Sequence, residues 1–226
     1  MKLSVVIPVY NEKSTIAGVI EKVRQVPIEK EIIVVDDGST DGTADILTRH
    51  DGDPIVTIHK SMVNFGKGAA VRIGFKYATG DMVIIQDADF ELDPQEYPQL
   101  MAPIEKGEAD VVYGSRFKKL EQKVAFINLM ANKFLVFLTN VLYGSKLTDM
   151  ETAYKVFRID VVKKIKLKSM GFEFEPEVTA KVLRAGYRIV EVPITYHPRT
   201  VEEGKKIGWR DGVKAIWNLF KYLFSS

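Results

Sequence analysis

Short apolar runs, mostly β-branched, alternate with amphipathic stretches along the first half of the chain. Leu3–Val9 (LSVVIPV), Glu31–Val35, Ile55–His59, Met82–Gln86 and Asp110–Tyr113 read as strands. Between them, Ile16, Val19, Ile20, Val23 and Val26 recur at three- and four-residue steps. Gly42–His50, Ala69–Ala78 and Gln95–Lys106 show similar helical patterns beside Gly, Pro or Asp punctuation. The apolar runs are continuous rather than alternating, which suits strands covered on both faces. Strand and helix in alternation predict βαβ units and an α/β fold with a mostly parallel sheet.

After Tyr113 the rhythm changes. Gln122–Tyr143 predicts a long helix carrying Phe126, Leu129, Met130, Phe134, Phe137, Leu138 and Val141. A strand near Thr152–Phe157, helices over Asp160–Lys166 and Pro176–Ala185, and a strand over Arg188–Tyr196 follow. A basic loop then leads to a last helix, Trp209–Phe224. No internal repeat or linker interrupts the chain. A single domain over 1–226 is expected, its second half elaborating a site built by the first.

The 226 residues suffice for one large core. The balance of 32 basic and 30 acidic side chains, net +2, gives no support for bulk nucleic-acid binding. The absence of cysteine excludes a disulfide framework and a cysteine zinc site. MKLSVVIPVYNEK turns polar too soon for a signal peptide. Asn128, Asn132, Lys133 and Asn140 interrupt the most apolar region, Val124–Tyr143, so no membrane span is predicted. The expectation is a cytoplasmic protein, soluble or lying on a membrane surface.

In parallel α/β sheets, ligands bind outside the carboxyl ends of the strands. Three of these ends are polar: VYNE (Val9–Glu12), VDDGSTDGT (Val35–Thr43) and QDADFE (Gln86–Glu91). In the second, Ser39, Thr40 and Asp41 suit a strand-to-helix turn with a cap. The adjacent acids Asp36 and Asp37 also suit acceptance of hydrogen bonds from a base N–H or a ribose hydroxyl. In NFGKGAAVRIGF (Asn64–Phe75), Gly66 and Gly68 flank Lys67 at a helix start, where amide dipoles favour phosphate. A glycine-softened turn with a solvated lysine is the equal alternative. In QDADFELDP, Asp87, Asp89, Glu91 and Asp93 alternate after a buried apolar run. Asp93-Pro94 reads as a helix cap. A divalent cation, Mg²⁺ or Mn²⁺, would offset the mutual repulsion of the other three.

Taken together, VIPVYNE, VVDDGSTDGT, GKGAAVRIGF, QDADFELDP and DVVYGSRF resemble the family 2 glycosyltransferases of GT-A fold. The later segments LTNVLYGSKLTDMETAYKVFR, FEFEPEVTAKVLRAGYRIVEVPITY and EGKKIGWRDG are similar to those of soluble polyprenyl-phosphate (dolichyl-phosphate) sugar synthases and their bacterial and archaeal relatives. The resemblance runs over nearly the whole chain, with its motifs in the expected order. It implies a nucleotide-sugar-binding half, 1–115, and an acceptor-binding half, 116–226. Pro8, Tyr10, Glu12 and Asp37 would hold the nucleoside of a UDP- or GDP-sugar, with Lys67 and Asp87 beside it. Asp89, Glu91 and Asp87 would hold Mn²⁺ or Mg²⁺. Glu91 stands where many dolichyl-phosphate mannose synthases carry glutamine. Arg116, Asn132 and Lys133 would face the acceptor. Arg199 with Lys205 or Lys206 would close over the diphosphate. Asp149 would orient acceptor or metal, or else abstract a proton.

The implied reaction is an inverting, metal-dependent transfer of a hexose to a polyprenyl phosphate. The rivals are transfer to a saccharide or small-molecule hydroxyl, and a nucleotide-sugar-binding module without catalysis. A sugar-nucleotide pyrophosphorylase would need a glycine-rich loop after the first strand, and VIPVYNEK has no glycine. Aromatic residues beside lysines in Phe126–Tyr143 and Trp217–Phe224 suit a membrane interface. The expected location is therefore peripheral, at the cytoplasmic face, held by this surface or by a separate membrane partner.

Overall fold

The computed structural model of the chain describes residues 1–118, 126–198 and 209–224. Its strands are β1 (Leu3–Val9), β2 (Lys30–Asp36), β3 (Val56–Lys60), β4 (Met82–Ile85), β5 (Val111–Ser115), β6 (Lys155–Arg158) and β7 (Ile189–Pro193). They form one sheet in the order β3-β2-β1-β4-β6-β5-β7. β1 runs parallel to β2 and β4, β2 to β3, and β5 to β7. β6 is antiparallel to both its neighbours, β4 and β5. The sheet is therefore mixed and mostly parallel, in keeping with the predicted α/β class.

Every residue of β1 is buried, because helices cover both faces. Leu3, Val5, Ile7 and Val9 share one core with α1 (Ile16–Gln25) and α4 (Tyr97–Glu105), and Leu47 of α2 (Thr43–Leu47) joins it. Val6 points the other way, into a core with α3 (Lys67–Tyr77), α6 (Ile159–Lys164) and α7 (Phe174–Arg184). Gly74 allows α3 to lie against β1, since a Cβ there would sit 2.2 Å from Val6 Cγ1. A third, smaller core joins α5 (Phe126–Tyr143) to α8 (Trp209–Phe224) through Leu135, Val136, Ala215, Leu219 and Met150.

Several predicted elements differ in extent. The strand expected over Arg188–Tyr196 spans Ile189–Pro193, and the helix expected from Pro176 begins at Phe174. The helix expected from Gln95 begins at Tyr97, after a 3-10 turn, Pro94–Glu96. The strand expected from Thr152 begins at Lys155. Thr152–Tyr154 turn instead, with the Lys155 ammonium closing back onto the Thr152 carbonyl. The helix expected over Gly42–His50 ends at Leu47 and tightens into a 3-10 turn, Thr48–His50. Residues 122–125 of the predicted long helix lie outside the described residues.

Glu31 secures the sheet edge opposite the polar strand ends. Its carboxylate accepts from Lys2 Nζ (2.8 Å), Ser4 Oγ (2.6 Å) and the Thr79 amide (2.7 Å), tying β1 and β2 to the α3–β4 connection. Burial by itself would raise its pKa, but these donors hold it at about 2. The clamp therefore contributes stability at neutral pH that is lost as pH falls from about 4.5 towards 2. Glu31→Gln should cost about 1–3 kcal/mol at neutral pH and flatten the acid limb. Urea midpoints at neutral and acid pH test this; an unchanged acid limb would show that another carboxylate governs it.

Candidate active site

The carboxyl ends of β1, β2 and β4 open on one edge, and side-chain hydrogen bonds lock their loops together. Asn11 adopts a left-handed backbone (φ 53°), uncommon outside glycine. Its amide donates to Ser39 Oγ (3.0 Å), and its Oδ1 accepts from the Thr40 amide (2.8 Å). The Glu12 amide donates to Thr43 Oγ1 at 3.0 Å. The single Thr15 hydroxyl hydrogen is shared between the Ala88 carbonyl (2.7 Å) and Glu12 Oε2 (3.0 Å), bringing the VYNE and DAD loops side by side. Pro8 lies buried within β1, and Tyr10 and Glu12 are half-buried beyond it. Asp37 is buried, and its carboxylate accepts from the Phe65 amide (3.0 Å) and the Gly66 amide (2.6 Å). It thereby fixes the loop that delivers Lys67 to the start of α3.

Lys67 is not a solvated lysine. Its Nζ lies 2.6 Å from Asp87 Oδ1 and 3.7 Å from Glu175 Oε1. Burial would lower its pKa, but the Asp87, Glu175 and Asp89 carboxylates outweigh that and raise it above the ordinary lysine range. Beneath Asp87, the fully buried Gln86 donates to the Asp87 carbonyl (3.0 Å) and accepts from the hydroxyls of Tyr97 (2.6 Å) and Tyr154 (2.7 Å). These bonds set the height at which β4 ends. Asp89 and Glu91 are half-buried; Asp89 Oδ1 accepts from the Glu91 amide at 3.0 Å. Asp93 Oδ1 accepts from the Gln95 amide at 3.0 Å, the cap read from Asp93-Pro94.

At the end of β5, Arg116 meets Asp149. The guanidinium donates through Nε (2.7 Å) and an Nη (2.9 Å), and the Arg116 amide adds a third bond at 3.0 Å. Asn132 Nδ2 of α5 approaches the same carboxylate at 3.4 Å. Asp149 has no solvent exposure, and its charge raises the pKa of the half-buried Arg116 against the effect of burial. Glu191 of β7 holds the loop in place, accepting from the Thr148 amide (2.8 Å), Thr148 Oγ1 (2.8 Å) and the Asp149 amide (2.9 Å). Lys133, the next residue on α5, is exposed, so the helix turns Asn132 but not Lys133 towards Asp149.

Tyr196 bridges the two clusters. Its ring lies 5.2 Å from the Arg116 guanidinium, and its hydroxyl donates to Glu91 Oε1 at 3.2 Å. Burial, then the Glu91 carboxylate, push that hydroxyl up to about 12, so it remains a donor at neutral pH. The His197 amide donates to the Glu91 carbonyl at 2.8 Å. The chain leading to Arg199, Lys205 and Lys206 thus passes Glu91; those three lie outside the described residues.

Among the described residues, no three or more His, Asp or Glu side chains form a group that could hold a metal ion. Mg²⁺ and Mn²⁺ commonly take one or two carboxylates, completing their shell with water and substrate phosphate. Asp89 and Glu91 fit that pattern. Asp87 is engaged by Lys67, so the three carboxylates do not form a self-sufficient cage. Sequence reasoning missed Gln86, Lys155, Glu175 and Glu151. The one available signal was Gln86, a polar residue closing the apolar run VII.

Residues 4–166 match Glycosyl transferase family 2. The chain belongs to that family. It is thus a glycosyltransferase. It is 32% identical to the undecaprenyl-phosphate mannosyltransferase of Micrococcus luteus, covering 98% of this chain and 94% of that protein. It is 29% identical to the dodecaprenyl-phosphate galacturonate synthase of Rhizobium johnstonii, covering 99% of this chain and 67% of that one. Against the low-salt glycan biosynthesis hexosyltransferase Agl6 of Haloferax volcanii the identity is 34%, and the chain spans 55% of that protein. Among solved structures, glucosyl-3-phosphoglycerate synthase from Mycobacterium tuberculosis, in complex with Mn²⁺, UDP and phosphoglyceric acid, superposes with a TM-score of 0.76. The identity is 20%, over 99% of this chain and 78% of that one. The fold is the GT-A fold.

Arg116→Ala should cost this glycosyltransferase about 3–5 kcal/mol, because it leaves the Asp149 carboxylate buried and unpaired. Arg116→Ala combined with Asp149→Asn should recover part of the loss. Denaturant midpoints for the wild type and both variants decide this; a stable Arg116→Ala protein would contradict the buried pair.

Proposed function

We propose that the chain transfers a hexose from a nucleotide-diphosphate sugar to a polyprenyl phosphate at a membrane surface, inverting the anomeric centre. The observation that carries this reading is the geometry of α5. One side of the helix presents Asn132 to the Arg116–Asp149 pair, where an acceptor phosphate would sit. Its opposite side exposes Met130, Phe134, Phe137 and Val141. Packed against it, α8 exposes Val213, Trp217, Phe220 and Phe224 at the same spacing. The two apolar stripes lie beside exposed Lys133, Lys214 and Lys221, a composition suited to the lipid interface. Among the described residues no helix is long and apolar enough to cross a membrane, so this face would make the contact, with or without a separate membrane partner. The lipid-phosphate relatives point to the same class of acceptor.

Asp89 and Glu91 would hold a divalent cation, Mn²⁺ or Mg²⁺, which supplies charge neutralisation for a diphosphate leaving group. Asp37, Pro8, Tyr10 and Glu12 lie where the nucleoside would rest, and Lys67 keeps Asp87 in place beside them. The basic segment with Arg199, Lys205 and Lys206 would close over the diphosphate. Arg116 would share its guanidinium between Asp149 and the acceptor phosphate. The nucleophile is a phosphate whose second pKa is about 6, already anionic at neutral pH, so no strong base is required. Asp149 serves as the counter-charge that holds Arg116. Abstraction of a proton by Asp149 would first require breaking its bonds to Arg116.

A transfer assay with labelled UDP- and GDP-sugars, Mn²⁺ or Mg²⁺, and a short polyprenyl phosphate tests the reading. Label should move to the lipid, and Asp89→Ala should lower turnover at least about 100-fold with an unchanged thermal midpoint. Transfer to a saccharide hydroxyl without lipid would replace the reading with its rival. Binding of one nucleotide with no transfer would favour the non-catalytic module. Phe137→Asp or Trp217→Asp should weaken sedimentation with anionic vesicles about tenfold; equal binding would place the membrane contact elsewhere.

A further inference from the structure

Among the described residues, the buried side-chain polar atoms lacking a hydrogen-bond partner are His59 Nε2, Asn132 Oδ1, Glu151 Oε1, Thr152 Oγ1 and Glu175 Oε1. All but His59 belong to the surroundings of the Arg116–Asp149 pair and Lys155, and three of those four are pure acceptors. The cluster has more lone pairs than hydrogens to satisfy them. Its charges are unbalanced as well. Glu151 interacts with Glu175 of α7, Lys155 of β6, Arg116 after β5, and Asp149 of its own loop; Tyr113 of β5 also feels its charge. With Glu151 ionised, Asp149, Glu151, Glu175 and Asp87 set four negative charges against the three positive charges of Arg116, Lys155 and Lys67, the last 3.7 Å from Glu175 Oε1. With Glu151 neutral, the charges cancel and its carboxyl brings one hydrogen to a cluster short of donors.

We propose that Glu151 is a proton-carrying positioning residue of the acceptor site, neutral when a phosphate is received and repelling that phosphate through the Arg116–Asp149 pair when ionised. Burial, then the Glu175 charge, raise the Glu151 carboxyl to about 7, and the cations Lys155 and Arg116 only partly oppose them. The proton is therefore exchanged within the physiological range. No bond to the substrate is implied; Glu151 sets how much of the Arg116 charge remains for an incoming anion. By linkage, a phosphate that prefers the neutral form must raise the proton affinity of Glu151.

The inference rests on the phosphate-acceptor reading, and two measurements separate the fate of each. In infrared titration of the protein alone, a protonated-carboxyl C=O band should disappear with a midpoint near pH 7. It should be absent from Glu151→Gln, and its midpoint should move up when inorganic phosphate is added. In the transfer assay, the KM for short polyprenyl phosphate should rise about tenfold between about pH 6 and 8. The donor KM should not follow it, and Glu151→Gln should hold the acceptor KM near its low-pH value throughout. A band that does not titrate near pH 7, a midpoint indifferent to phosphate, or a rise in acceptor KM that persists in Glu151→Gln overturns the proposal. If Glu151→Gln does not fold, the wild-type band and its response to phosphate decide. If no lipid phosphate is glycosylated at any pH, the acceptor reading falls, and the infrared result still settles the charge state of Glu151.

Discussion

The ion pair between Lys67 and Asp87 joins parts of the chain that no backbone hydrogen bond connects. Lys67 begins α3, and Asp87 closes the loop edge of β4. Through Glu175, which also pairs with Lys155, the same cluster reaches α7 and β6. Lys67 and Asp87 are half-buried and Glu175 and Lys155 buried, so each charge is costly unless it is paired, and each member here has a partner of opposite sign. The consequence is geometric. Asp87 cannot rotate away from the sheet edge without stranding Lys67, so the DAD turn and the glycine-flanked helix start hold a fixed relation. Gln86 adds a second constraint from below, since Tyr97 and Tyr154 both donate to its amide oxygen. The polar edge of the sheet is thus held by a buried polar layer.

A second line of contacts carries this fixity to the acceptor side. Glu91 accepts from Tyr196, whose ring lies by Arg116, and Arg116 is bound to Asp149. The Asp89–Glu91 cluster and the Arg116–Asp149 cluster are therefore linked by a continuous chain of contacts. Position 91 affects both. Its carboxylate gives the Tyr196 hydroxyl a charged acceptor, where a glutamine would give a neutral one. On the proposed reading, the charge brought by glutamate at this position is shared between cation binding and the placement of Tyr196.

What the sequence disclosed follows from which physical signals are periodic. β1 was read to its residue limits because seven consecutive buried positions interrupt any amphipathic pattern, and α8 because its apolar stripe repeats regularly. The strand-end loops were legible for a topological reason: a parallel sheet sends its carboxyl ends to one edge, and three of them were polar. Buried charge has no comparable signature. In FEFEPEV, Glu175 and Glu177 look like the solvated face of a helix. Both are buried, Glu175 on Lys155 and Glu177 on Lys181 and the amides of Lys168 and Ser169. Lys155 falls inside the strand expected near Thr152–Phe157, where nothing marks its ammonium as fully buried. Their partners are distant in the chain, and only the fold brings them together. Lys67 shows the same limit from the other side: its position at a helix start was evident, but not that its ammonium turns back to Asp87.

A phosphate acceptor, as proposed, explains why the Arg116–Asp149 ion pair can stand at its site without a free base. A hydroxyl nucleophile must lose a proton during attack, so its enzyme needs a carboxylate or imidazole with a vacant lone pair aimed at it. Asp149 does not meet that description, because Arg116 and Asn132 surround its oxygens. It does meet the needs of a phosphate acceptor. Such a nucleophile would arrive charged, and the problem would be to attract and orient an anion in a site that already contains several carboxylates. An arginine held by one carboxylate and stacked near a tyrosine is preorganised for that task, because its planar fork loses little freedom on gaining a second anionic partner. The number of negative charges around that arginine then decides how strongly it attracts the acceptor. Burial, then the Glu175 charge, push the Glu151 carboxyl up, so its charge is the one the surroundings oppose.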